Sequence, residues 1–164
     1  MDVEVLSPLV TEAVPRDVRS PWLAEKSIKV KLYLDFVVRV DDEIIVIPKG
    51  YVSDWSSLPR ILWWRWPPNY SEARHAAVVH DYLYSHLHWH YTKEFADAVL
   101  KALMLYDGAP AFTAKTFHLG VRVGGKGGWH YRELSDSHPH WRKVYEKLSS
   151  PTGDSLSSPA LSAG

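Results

Sequence analysis

Two ionisable residues side by side in an otherwise apolar run, His80 and Asp81 in AAVVHDYLY, are where this chain could do chemistry. At 100° per residue, Ala73, Ala76, Ala77, His80, Asp81 and Tyr84 fall on one broad face of a helix, with Val78, Val79, Tyr82 and Leu83 on the other. A polar face lined by alanines rather than Lys, Glu or Gln is a buried face. Burying an imidazole beside a carboxylate costs several kcal/mol unless both find partners, so the pair is hydrogen-bonded or ligates a metal. Tyr84, one turn on, can orient either group. Two readings stay open: a functional site, or a satisfied core network.

Asp97 lies near the start of a following helix. If the two helices run antiparallel, it can face His80 and fix its tautomer, as a carboxylate does for a general base. Alternatively it is one end of a solvated i,i+4 pair with Lys101, since Glu94 and Lys101 share its face. Asp54, in PKGYVSDWSSLPR, stands among Ser53, Trp55, Ser56 and Ser57. A carboxylate with hydroxyls in a Pro-bounded loop suits a hard cation or a substrate, and equally suits a turn. The run His86, His88, His90 reads as a His-rich turn. GGKGG lacks the spacing of a phosphate loop.

Regular elements must position these residues. Ile28, Val30, Leu32, Leu34, Phe36, Val38 and Val40 alternate with mostly polar neighbours, a strand with one buried face. Asp41-Asp42 turns the chain into IIVIP, giving a β-hairpin over 28–48 that Pro48 closes. Ser71 is a candidate N-cap for a helix from Glu72 to about Ser85. Thr92 is a candidate cap for Lys93 to Tyr106, stopped by Asp107-Gly108, and Pro110 opens a third helix to about Val123. A last short helix is expected at HWRKVYEKL. The fold class expected is α+β, an N-terminal antiparallel hairpin packed on a small bundle of three to four helices. Residues 1–26 read as an extended arm, 27–148 as one domain and 149–164 as a disordered Ser/Pro-rich tail.

Composition narrows the function classes. The 164 residues carry 19 basic and 19 acidic side chains, so no nucleic-acid footprint shows in net charge. With no Cys, thiolate chemistry and disulfides are excluded. No run reaches the roughly 18 apolar residues of a spanning helix. Three of the eight Trp sit in ILWWRW.

Three blocks, PKGYVSDWSSLPR, AAVVHDYLY and FADAVLKALMLYDG, together resemble an uncharacterised family of phage and prophage proteins, DUF1353. With VRVGGKGGW, the resemblance spans about residues 30–129. Gly50, Asp54, Ser57, Pro59 and Arg60 stand in the family's loop positions, with Ser53 and Ser56 where it has Thr and Ala. The resemblance implies a phage or prophage origin, in the cytoplasm of the bacterial host or in the virion, and no settled activity. The motif H-D-x-x-Y is also similar to phospholipase A-two. That similarity implies His80 as base, Asp81 as a calcium ligand, and Tyr84 bonded to an orienting Asp97; the glycine-rich calcium loop of that class is missing, and Asp54 is the nearest substitute.

Two expectations follow. One is a metal-assisted hydrolase of phospholipid esters, with a peptide or cell-wall amide as the next substrate. It uses His80, Asp97 and Tyr84 for catalysis, Asp81 and Asp54 for a divalent ion (calcium or zinc), and Ser57, Arg60, Trp55 and Trp129 for substrate. Trp63, Trp64 and Trp66 would join Trp55 as an apolar wall or lipid-facing rim. The other is a non-enzymatic virion, tail or assembly protein whose partners are other phage components and in which these residues form a buried lock.

Overall fold

The structure, a computed structural model, describes residues 1–14, 29–53, 70–124 and 129. Its strands are β1 (Val3–Val5), β2 (Thr11–Ala13), β3 (Val30–Leu32), β4 (Phe36–Val40), β5 (Glu43–Ile47) and β6 (Val52–Ser53). A single 3-10 turn, Ser71–Ala73, leads into α1 (Arg74–His86), which α2 (Lys93–Tyr106) and α3 (Ala111–Gly124) follow. The class is α+β, as expected. The expected short helix at HWRKVYEKL lies outside the described residues.

The strands form two small antiparallel sheets, ordered β1-β4-β5 and β2-β3-β6. The hairpin β4–β5 is where the alternation puts it, with Val40 opposite Glu43 and Asp41 at a positive φ of 51° that its short polar side chain tolerates. The Asp41 carboxylate accepts the backbone N–H of Asp2 at 2.7 Å, which holds β1 alongside.

One long strand over 28–40 is not what forms. The chain breaks at Tyr33–Asp35 and crosses from one sheet to the other, leaving Leu34 45% exposed rather than inward, while Ile28 lies outside the described residues. Asp35 holds the bend: its carboxylate accepts Lys49 N–H at 2.6 Å and its carbonyl accepts Ser7 Oγ at 3.1 Å. Because the bend takes an odd number of residues, Val30, Leu32, Phe36, Val38 and Val40 all stay buried on one parity. The extended lead-in is also more than a lead-in, since β1 zips onto β4 and β2 onto β3.

Behind the sheets, Leu32, Phe36, Val38, Ile45 and Ile47 form one core with Val78, Val79, Tyr82 and Leu83 of α1 and Leu100, Leu103 and Met104 of α2. Ser71 does not cap α1. Its hydroxyl bonds the neighbouring Glu72 carboxylate, the N-cap is Ala73 without a side-chain bond, and the 3-10 turn leads the chain into the helix instead. Thr92 does cap α2, accepting Phe95 N–H at 3.2 Å. Gly108, at φ 87°, reverses the chain after α2.

Contacts from His75 to Asp107 at one end and Tyr84 to Asp97 at the other make α1 and α2 an antiparallel pair. Lys93 at the start of α2 reaches Val121 near the end of α3, so the third helix reverses again. Ala76 and Ala77, both buried, leave room for α2 to approach. No helix among the described residues is long and apolar enough to cross a membrane.

Candidate functional site

The antiparallel helices bring His80 and Tyr84, one turn apart on α1, against Asp97 in the second turn of α2. His80 Nε2 lies 3.1 Å from Asp97 Oδ1, and Tyr84 donates its hydroxyl to the same oxygen at 2.6 Å. Lys93 donates to Asp97 Oδ2 at 2.6 Å and to the Val121 carbonyl at 3.1 Å. The carboxylate thus ties three helices together, with only 1% of its side chain exposed.

Burial pushes the Asp97 carboxyl up, but the hydrogen bonds from His80, Lys93 and Tyr84, with the nearby His80 charge, outweigh it and hold the group down from its ordinary 3.8 to about 2. Asp97 is therefore an anion across the physiological range. An ionised carboxylate can only accept, so the proton between it and His80 belongs to Nε2. In the neutral ring, Nδ1 then carries the lone pair. That nitrogen is buried and has no hydrogen-bond partner among the described residues. A buried polar atom without a partner costs about 1–3 kcal/mol.

Aromatic rings wall the site. The His80 and Tyr84 rings lie 4.1 Å apart, and Trp129 meets Tyr84 edge-on at 4.8 Å. Trp129 is 6% exposed, so it closes the site from outside α1 rather than standing on the surface.

Asp81 has a different neighbour. Its Oδ2 accepts Ser53 Oγ at 2.6 Å, at the point where the chain leaves β6. Ser85, one turn along, bonds the Asp81 carbonyl and lies 3.2 Å from the Tyr51 hydroxyl. Asp54, Trp55, Ser57 and Arg60, with Trp63, Trp64 and Trp66, lie outside the described residues. Among the described residues no three metal-ligating side chains gather. The His-rich turn splits up: His86 stacks on Tyr82 at 5.1 Å, His88 faces Trp129 at 6.3 Å, and His90 meets Tyr91 at 4.5 Å.

Sequence reasoning brought His80, Tyr84 and Asp97 together correctly but gave Asp97 the wrong ion-pair alternative. Its lysine is Lys93, four residues before it, rather than Lys101 four after, and the pair is buried rather than solvated. The i,i+4 spacing was there to be read. His118 was also missed: burial lowers its imidazole, the Asp97 charge acts against that, and Lys101, Arg122 and Lys93 add to the lowering. A second His–Asp pair, His75 with Asp107 at 2.8 Å and Phe36 stacked on the imidazole, lies at the far end of the helix pair.

No curated protein and no solved structure matches the chain. A family model does match, over residues 30–121, which is more than half of the 164 residues. The matched segment runs from β3 to the end of the Lys93–Val121 contact and so contains His80, Tyr84, Lys93 and Asp97. The chain belongs to the family described as protein of unknown function (DUF1353).

Proposed function

We propose that the chain is a hydrolase in which His80 is the general base. One observation carries this reading: a buried imidazole whose Nε2 is held by a fixed carboxylate and whose Nδ1 has no hydrogen-bond partner among the described residues. A nitrogen in that state is suited to take a proton from water. The resulting hydroxide adds to a carbonyl carbon, the carbon–oxygen bond to the leaving alkoxide breaks, and His80 returns the proton to that alkoxide. Asp97 stays ionised throughout, orienting the ring and stabilising its transient positive charge. Tyr84 and Lys93 hold Asp97.

The substrate assigned is a carboxylic ester of a phospholipid, with Ser57, Arg60, Trp55 and Trp129 as substrate contacts. The support is the H-D-x-x-Y arrangement together with the aromatic wall of Tyr84 and Trp129. The proton transfers described run through His80 alone. Calcium or zinc held by Asp81 and Asp54 would add polarisation of the carbonyl, and chelation tests for it.

Replacing His80 by Gln should lower hydrolysis of phospholipid or a chromogenic ester by about 100-fold or more. Circular dichroism should show a folded chain. Undiminished turnover would overturn the reading.

A second reading is a phage or prophage virion, tail or assembly protein in which the same residues lock three helices. The three donors on Asp97 favour it. It requires His80→Gln to lower the melting temperature and requires the purified chain to turn over no ester.

A further inference from the structure

The outer face of α3 departs from an ordinary solvated surface. Thr113, Ala114, Phe117 and Val121 are buried on its inner side, and among the described elements α3 packs on α2. Turning 100° per residue, Arg122, Lys115, Leu119, Phe112 and Val123 follow one another across about 100° of the opposite side. Phe112 is 76% exposed, Leu119 62% and Val123 70%. Single exposed apolar residues need no explanation, but three in one stripe do.

The stripe has a basic flank. Lys115 and Arg122 are exposed beside it, with half-buried His118 next to them, and α3 contains no Asp or Glu. The charges acting on His118 are the cations Lys101, Arg122 and Lys93 and the buried anion Asp97. Among the described residues the acid acting on this flank is thus inside the protein, and exposed Lys115 and Arg122 make its solvent side positive in a chain of zero formal net charge.

Three occupants fit an apolar stripe, and the residues separate them. A second copy of α3 would bring Lys115 and Arg122 against the same cations with no acid to answer them. A coiled-coil partner needs three to four heptads, whereas fourteen residues supply two, with Thr116 in the seam. Three side chains also offer on the order of 300–400 Å², about half of the roughly 800 Å² each side gives a stable protein interface. A convex ridge about 16 Å long, apolar with cations along one edge, suits a fluid surface whose headgroups are negative.

We propose that the outer face of α3 docks the protein on an anionic lipid surface, with Phe112, Leu119 and Val123 entering the headgroup–acyl boundary and Lys115 and Arg122 pairing with lipid phosphates. The inference does not rest on the chemistry at His80.

The test is co-sedimentation of the full chain with vesicles of equal parts phosphatidylglycerol and phosphatidylcholine, and with phosphatidylcholine alone. The chain should sediment with the first and not the second, and less at high salt. Lys115→Glu with Arg122→Glu should weaken partition by about tenfold or more. Phe112→Ser with Leu119→Ser should do the same. Both variants alter exposed positions, so their melting curves should match that of the parent. His80→Gln should bind as the parent does, so that failure of the hydrolase reading and of this one are told apart. Sedimentation unchanged by both double variants overturns the proposal, and so does absence of binding to the anionic vesicles. A concentration-dependent dimer that Phe112→Ser abolishes also overturns it, by identifying a second copy as the occupant.

Discussion

Replacing Asp97 by Asn keeps the shape of the side chain and removes its charge. The parent carboxylate accepts from His80 and Tyr84 on one oxygen and from Lys93 on the other. The amide keeps one acceptor oxygen and presents an NH2 group to the other donors, leaving the Lys93 ammonium, 12% exposed, facing a donor. Breaking a buried pair from one side costs about 3–5 kcal/mol. The Val121 carbonyl still holds Lys93, so we expect the lower end, about 3 kcal/mol. For a chain of this size that is a fall of about 6–12 °C in melting temperature.

The same substitution has a pH signature. A carboxyl lowered from 3.8 to about 2 on folding stabilises the fold above its unfolded value, and that stability is lost as pH falls through about 2. The amount is about 2 kcal/mol. Urea unfolding of parent and variant should therefore converge by about that amount between about pH 5 and pH 2, because only the parent takes up this proton. Two results would refute the reasoning: a variant within 1 kcal/mol of the parent at pH 7, on the scale of an ordinary neutral hydrogen bond, or parallel pH profiles.

Two further substitutions separate the donors around Asp97. Tyr84→Phe removes a hydroxyl bonded to a charged group and should cost about 1.5–3 kcal/mol in urea unfolding; ester turnover should fall with it in the hydrolase reading. Lys93→Met deletes the ammonium but keeps an unbranched side chain, so the loss of stability at pH 7 should be about 1–3 kcal/mol. Asp97 then loses one lowering partner, and the acid limb of the Lys93→Met unfolding profile should move to higher pH.

Much of this arrangement was legible because it follows from local rules. The bounds of α2 come from Thr92 and Gly108, and the meeting of His80, Tyr84 and Asp97 follows from an i,i+4 spacing and a short connection between helices. The break at Tyr33–Asp35 was not legible. The bend preserves the parity of the buried residues, so alternation looks continuous while the chain changes sheets. Pairing of β1 and β2 was hidden for a related reason: strands of three residues carry too few alternations to register, and their partners lie far along the sequence. At the site, Lys93 was hidden by its type. A lysine beside a helix start reads as solvated, whereas here the buried Asp97 carboxylate and the Val121 carbonyl arriving from α3 turn it inward. Asp81 shows the opposite case, a conspicuous neighbour of His80 whose carboxylate accepts from Ser53.

The central claim is that Asp97 fixes the proton of His80 on Nε2 and leaves Nδ1 as the open nitrogen. Two-bond nitrogen–proton correlation of the imidazoles in the 15N-labelled protein, with His80 assigned by loss of its signals in His80→Gln, measures this directly. The account predicts a protonated Nε2 and an unprotonated Nδ1 for the neutral ring of His80. A neutral ring carrying its proton on Nδ1 would contradict it.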